Sequence, residues 1–351
     1  MPPRRTRPLR HELMLLVGVG LLPLVLFGGF GIASTIRRQT HDLERSTLEL
    51  SRALASAVDS ELDATVESLQ AMALSRALAQ GDVRGFYEIA QQDAAARPGW
   101  ATVILTDAQG RVLFKTGQPF GAADPRVVDP PSLQRTIETR APTVGSLLAG
   151  PRGTFALPVR VPVTVDGRLA YVLTAAVKPD RFLDILGSQN APEGWVISVF
   201  DRGGARVARS RAHDGLIGKP PAPSLAALMA RQGESGAGVS RTVEGDEVYT
   251  GFTRVTDYGW TVAVGASTSG TTAAILRSLG LYVLGVALSV VACGLLAMRM
   301  TRRVASDIGH IRDQAVRVGA GEPIALTTSP IAEIDEMAVA LHAASERIAA
   351  A

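Results

Sequence analysis

The chain has 351 residues, of which 46% are hydrophobic, with a formal net charge of +3 and a single cysteine. That is ample apolar material for folded cores and too modest a charge for a nucleic-acid binder. One cysteine excludes a disulfide framework, no Cys/His spacing suits a metal, and no cofactor is implied.

Residues 1–12 are a basic tail with Arg4, Arg5, Arg7 and Arg10, and residues 13–36 then run without a charged side chain. As a helix that run exceeds the ~30 Å of a bilayer core, so it predicts a first transmembrane helix. It is longer than the usual signal-peptide core, which favours an uncleaved anchor. Residues 39–80 predict one long helix, because Leu54, Val58, Leu62, Val66, Leu69 and Met72 recur every three or four positions. From 100 to 266 short β-branched runs alternate with Gly, Pro and Asp turns. Strands are predicted at 101–106 and 111–115 around a turn from Asp107 to Gly110. A hairpin is predicted at 155–165 and 169–177 across Asp166-Gly167, the pair a type I′ turn favours.

An internal repeat follows at an offset of about 94 residues. Gly99-Trp100, a strand, Asp107 and Gly110 recur as Gly194-Trp195, a strand, Asp201 and Gly204, and the later hairpin recurs at 248–254 and 260–266. Each half therefore predicts a PAS-like α+β unit with one antiparallel sheet, and Trp100 and Trp195 read as packing residues where the strands open. Residues 278–298 are a second uncharged run, followed by Arg299, Arg302 and Arg303. By the positive-inside rule both termini are cytoplasmic and residues 37–277 are exported, with the basic flanks meeting lipid headgroups. Gly285, Ser289, Cys293 and Ala297 place small residues at every fourth position of this span.

The remaining 299–351 carry two heptad seams. Val304, Ile308, Ile311, Ala315 and Val318 step by 4, 3, 4, 3, and after a connector of 319–330 so do Ile334, Ala338, Leu341, Ser345 and Ile348. His310 and His342 fall on these helices, but His342 is followed by two alanines, unlike a phosphoacceptor box, and no Gly-rich nucleotide loop is present.

The order of span, long helix, two PAS-like units and span resembles a double Cache sensor. The resemblance rests on 106–113 (Thr-Asp-Ala-Gln-Gly-Arg-Val-Leu), 158–162 (Pro-Val-Arg-Val-Pro), 166–168 (Asp-Gly-Arg) and 259–265 (Gly-Trp-Thr-Val-Ala-Val-Gly). It implies a distal unit at about 81–187 and a proximal unit at about 188–268. Residues 299–351 resemble a HAMP relay module, with Glu333-Ile334-Asp335-Glu336 matching the start of its second helix and Ala305-Ser306 standing where a proline often does. This front end is that of bacterial sensor histidine kinases and chemoreceptors. The resemblance places a ligand pocket in the distal unit, with Lys115, Arg152, Phe155, Arg160, Tyr171 and Thr174 as candidates by position. The amino-acid-binding branch carries an Arg-x-Trp-Tyr pattern and a later Asp. Here Gly85-Phe86-Tyr87 lacks the Arg-x-Trp and Thr174 stands near the Asp position, which argues against an amino-acid ligand.

The expectation is a multi-pass inner-membrane receptor, homodimeric and without catalysis of its own, that binds a small extracytoplasmic molecule. It would signal through a cytoplasmic partner or an output domain absent from this chain. The alternative is a non-signalling anchor or scaffold of the cell envelope.

Overall fold

A computed structural model describes residues 9–122, 126–150, 153–188, 191–255, 257–267, 269–320, 322, 324–325 and 332–349. The chain divides into two compact units, one of residues 37–273 and one of residues 1–36 with 274–351.

Helix α1 covers Leu9–Ala73 in 65 unbroken residues, so the first apolar run and the predicted sensor helix are one element. Its stripe from Leu54 to Met72 is buried, as the spacing predicts. Its end differs from the predicted Gln80. The Ser75 hydroxyl accepts from the Ala77 N–H and starts a separate short helix, α2 (Arg76–Ala79). A serine that bonds its own neighbourhood competes with helix continuation, and apolar spacing carries no sign of it. Helix α3 (Val83–Ala95) follows, capped by Asp82, which accepts from the Gly85 N–H at 2.9 Å.

The first sheet contains β1 (Trp100–Asp107), β2 (Val112–Lys115), β3 (Thr143–Val144), β4 (Leu148–Ala149), β5 (Phe155–Val165) and β6 (Arg168–Val177), in the order β2-β1-β6-β5-β3 with β4 beside β5. Helix α4 (Pro130–Thr139) lies between β2 and β3 in the chain. The β1–β2 turn is closed by Asp107, which accepts from the Gln109 and Arg111 N–H groups. At the β5–β6 turn Asp166 and Gly167 both have positive φ, 49° and 74°, as type I′ requires.

Helix α5 (Asp180–Ser188) leads to the second sheet. Here β7 (Val196–Phe200), β8 (Arg206–Arg209), β9 (Ser235–Arg241), β10 (Glu247–Arg254) and β11 (Thr261–Ser267) take the order β8-β7-β11-β10-β9. Short α6 (His213–Leu216) and longer α7 (Pro223–Gln232) connect β8 to β9. The repeat is structural: Asp201 closes the β7–β8 turn by accepting from the Ala205 N–H at 2.8 Å, as Asp107 closes its own. Its other oxygen accepts from the Leu147 N–H at 2.8 Å and so ties the second sheet's turn to the first subdomain. Strand β9 is an addition to the predicted set. Its Gly236 and Gly238 depress β propensity, and pairing with β10 supplies what propensity does not. Trp100 opens β1 and is buried, whereas Trp195 precedes β7 and is half-buried.

One face of each sheet joins the α1 stripe in a common core that includes Val103, Leu105, Val161, Leu173, Val199 and Val262. Nearer the first apolar run, α1 meets β10 through small polar groups. Buried Ser51 bonds Thr253 hydroxyl to hydroxyl at 2.8 Å, Thr47 is fully buried, and Gly251 faces the helix backbone.

In the other unit, α8 (Ser269–Gly319) and α9 (Ala332–Ala349) accompany the start of α1. Both α1 and α8 are long and apolar enough to cross a membrane. Leu22, Leu26, Phe27 and Phe30 on one, and Leu281, Leu284 and Leu288 on the other, leave large apolar side chains exposed, the arrangement lipid would cover. The Tyr282 hydroxyl donates to the Val25 carbonyl at 2.7 Å, joining the two helices.

Candidate functional site

In the first sheet, cross-strand pairing sets Lys115, Ile104, Thr174, Arg160 and Thr143 in one transverse row. Partners across an antiparallel ladder share a face, and this face is the one α4 covers. Arg160 is its centre. The side chain is almost wholly buried. Its Nε donates to Ser132 Oγ of α4 at 2.8 Å, Nη1 to Thr174 Oγ1 at 2.9 Å, and Nη2 to the carbonyls of Val128 and Asp129. Burial pulls the guanidinium down to about 10, with Asp129 opposing the shift. Arg160 thus ties the start of α4 to the sheet by polar bonds, beside the apolar contact of buried Leu133.

The predicted candidates separate by face. Lys115 lies in Arg160's row and donates from Nζ to the Arg126 carbonyl at 3.0 Å. Thr174 is fully buried and bonded to Arg160. Phe155 and Tyr171 are odd-numbered steps from Arg160 and Thr174 along their strands, so they lie on the opposite face and pack against the common core. Phe155 also packs toward Gly218 of the second subdomain. Arg152 lies outside the described residues. On α3, Phe86 is a core residue and the Tyr87 hydroxyl donates to the Gln118 carbonyl at 3.0 Å.

Counting from the two turn aspartates aligns the second sheet with the first. Ser198 sits three residues before Asp201, as Ile104 does before Asp107. The equivalent row is then Arg209, Ser198, Ala263 and Phe252. Arg160 is replaced by Phe252, which packs with Phe200, Leu225, Leu228 and Ala263 under α7. Lys115 is replaced by Arg209. It is sealed, and its guanidinium grips Glu244 with both Nη atoms at 2.7 and 2.8 Å. Arg209 holds the Glu244 carboxyl down at about 2. Beside it lie Arg206, also buried, and a cavity of about 40 Å³. Neither arginine figured among the sequence candidates. The signal available was a pair of arginines inside a short strand right after a repeat turn, which is unusual on a strand whose neighbours are all buried.

No protein-family model matches the chain, and no curated protein does. Solved structures do. The ligand-binding domain of the Pseudomonas fluorescens chemoreceptor CtaA, in complex with L-serine, is 15% identical over 65% of this chain and 99% of that one, with a TM-score of 0.51. That of the Pseudomonas aeruginosa PAO1 amino acid chemoreceptor PctB, in complex with L-Arg, is 16% identical over 66% and 97%, also at 0.51. The extracellular domain of mmHK1S-Z3, described as a histidine kinase, is 13% identical over 66% and 97%, at 0.53. At such identities the likeness establishes the fold. The chain carries the tandem α+β architecture of extracellular sensor domains of chemoreceptors and histidine kinases, together with two helices able to span a membrane.

Proposed function

We propose that this chain is a homodimeric membrane receptor subunit that binds a small molecule outside the cytoplasm and relays a conformational change inward. The observation that carries this reading is α1. One unbroken helix is at its start an apolar segment of spanning length and at its end the central core element of a sensor fold. A ligand can shift an equilibrium only through its differential affinity for two states, and a helix continuous with a span offers a path for such a shift.

The ligand site is the α4-covered face of the first sheet. Lys115, Arg160 and Thr174 supply its polar contacts, and a ligand carboxylate or carbonyl takes the place that Val128 and Asp129 carbonyls hold on Arg160. The cytoplasmic relay is a HAMP module in α8 and α9. Support comes from the seams: Val318, Ile334 and Ala338 are buried within the chain, Val304 and Ile311 are half-buried, and Ile308 stays 54% exposed, ready for a second copy. Of the other seam positions, Leu341 is half-buried and Ala315 exposed, while the side chain of Ile348 lies outside the described residues. The connector is held at Ile324, whose carbonyl lies 3.1 Å from His342 Nδ1. The output is a cytoplasmic partner or domain, and the site is the inner membrane with residues 37–277 periplasmic.

The test is disulfide crosslinking of single cysteines at Ile311 or Leu341, in a Cys293→Ala background in native membranes. The panel comprises amino acids and short carboxylic acids. A receptor gives a crosslinking rate that changes with one of these compounds and loses that response in Arg160→Met. A passive anchor gives a rate indifferent to every compound that binds the chain.

A further inference from the structure

The site on the first sheet leaves unexplained the charge buried under α7 in the second. Arg206 and Arg209 are three residues apart, which on a regular strand would put them on opposite faces. The ladder slips between Val199 and Phe200, so Arg209 faces with Ser198 and Arg206 with Phe200, both toward α7. Arg209 is fully engaged, with Glu244 and the Arg211 carbonyl at 2.7–2.8 Å.

Arg206 is not. It is 3% exposed, its plane rests 5.1 Å from the Phe200 ring centre, and its Nε is buried without a partner. Among the described residues its one side-chain hydrogen bond is a long one, from Nη1 to the Leu216 carbonyl at 3.4 Å. A guanidinium offers five N–H donors, so most of these lack a partner among the described residues, and the one on Nε is buried as well.

The surrounding charge does not balance either. Arg241 lines the same cavity. Glu244 is shared between Arg209 and Arg211, Asp246 pairs Arg211 at 3.2 Å, and His213 faces Arg209 only as an acceptor from its backbone N–H. Glu247 stands opposite Arg241 on the β9–β10 ladder, so among the described residues four arginines meet three carboxylates. Burial lowers the Arg206 pKa, and the neighbouring Arg209 lowers it further.

The cavity next to this unfilled donor set measures about 40 Å³. At ~10–15 Å³ for each water it holds about three to four waters, or some four to five heavy atoms. Its walls combine the hydroxyls of Ser198, Ser240 and Thr250 with apolar Ala222, Leu225 and Val248. We propose that this cavity is a second binding site, in the second sheet of the sensor, for a short monocarboxylate of acetate or propionate size. Arg206 receives the carboxylate and the aliphatic wall receives the alkyl end. An inorganic oxyanion would leave that wall facing charge, and an α-amino acid would bring a second, cationic group up to the arginines. Glu244, on the β9–β10 turn, is the internal competitor for the same positive charge.

The experiment uses the full chain in detergent micelles. Sodium acetate and sodium propionate are titrated against sodium chloride at equal ionic strength, followed by calorimetry and thermal unfolding. Saturable binding with a rise in Tm beyond that given by chloride is expected. Arg206→Met should weaken it at least tenfold, Glu244→Gln should tighten it several-fold, and Arg160→Met in the first sheet should leave it unchanged. No saturable effect in the wild type, or unaltered affinity in Arg206→Met, overturns the proposal. Loss in Arg160→Met also overturns it and moves the carboxylate to the first sheet, so this site and the α4 site fail separately. Should Arg206→Met not fold, unchanged or weaker binding in Glu244→Gln overturns the proposal on its own.

Discussion

Replacing Gly251 by alanine tests whether α1 is seated on the second sheet as closely as the fold requires. Gly251 lies in the middle of β10, paired with Val264 and Ala237. A Cβ there would meet the backbone of Thr47 and Leu48, with Leu48 Cα at 2.6 Å, where ordinary contact begins at 3.4 Å. The obstacle is helix backbone, which cannot rotate aside, so helix and strand must part by roughly 1 Å or the substitution is not accommodated. Overpacking of this kind costs about 1–3 kcal/mol, a fall in Tm of roughly 2–12 °C for a domain of this size. The assay is thermal unfolding of the full chain in micelles by near-ultraviolet circular dichroism. Gly117→Ala serves as control, since its Cβ would meet only Thr102 Oγ1 at 3.9 Å. If Gly251→Ala and Gly117→Ala unfold within 1 °C of each other, α1 is not held against β10 and its displacement cannot carry a signal.

Three further outcomes follow from single sites. Arg160→Ala should cost about 2–4 kcal/mol in urea unfolding, because it empties a packed position and strips Ser132, Thr174 and two carbonyls of their donor; Arg160→Met, which keeps the stem, should cost about half as much. Asp201→Ala should cost about 2 kcal/mol and deprotect the Leu147 amide in hydrogen exchange, since that N–H would be left buried and unpaired. Asp59 is pushed above the usual carboxylate range by burial and then by Asp63 and Asp257, and its Oδ1 has no partner. The folded state therefore holds this proton more tightly than the unfolded chain, so stability falls as pH rises from the ordinary value through the raised one. Asp59→Asn should remove that slope and stabilise the protein at neutral pH by about 1 kcal/mol, measured by unfolding at a series of pH values.

Much of the scaffold was legible because it depends on local rules. The α1 stripe, the Asp166-Gly167 turn and the twin Asp-x-x-Gly turns each bring their physics within a few residues. What escaped depends on long-range pairing. Strand β9 forms in a glycine-bearing stretch only because β10 is there to pair with it, and the break after Ala73 turns on one serine hydroxyl. The candidate site residues were legible by position in the chain but not by face. Lys115, Arg160 and Thr174 share a row, but Phe155 and Tyr171 lie on the other face, because position in the chain near a pocket says nothing of strand parity until the register is known. Arg206 was hidden for a similar reason. Only the ladder slip at Val199 and Phe200 turns it toward α7.

The duplicated scaffold carries opposite chemistry at equivalent positions, and this bears on where movement starts. In the first sheet α4 is attached through Arg160 by hydrogen bonds to two carbonyls and a serine. A polar ligand could take over such bonds one for one, so exchange there would cost little, leaving buried Leu133 as the main apolar tie on α4. In the second sheet the equivalent position is Phe252, and α7 is attached by Leu225 and Leu228 against an apolar patch. Parting that contact would expose roughly 1.5–3 kcal/mol of burial for each side chain, with no polar partner to replace it. On the proposed function, the first sheet is therefore the half that a ligand would rearrange. On the same reading, the second sheet, with Gly251 against the backbone of α1, would pass that rearrangement to the helix rather than absorb it. A carboxylate on Arg206 would act on the second sheet, by loosening Glu244 from Arg209, and so would tune how firmly α1 is held without itself initiating the signal.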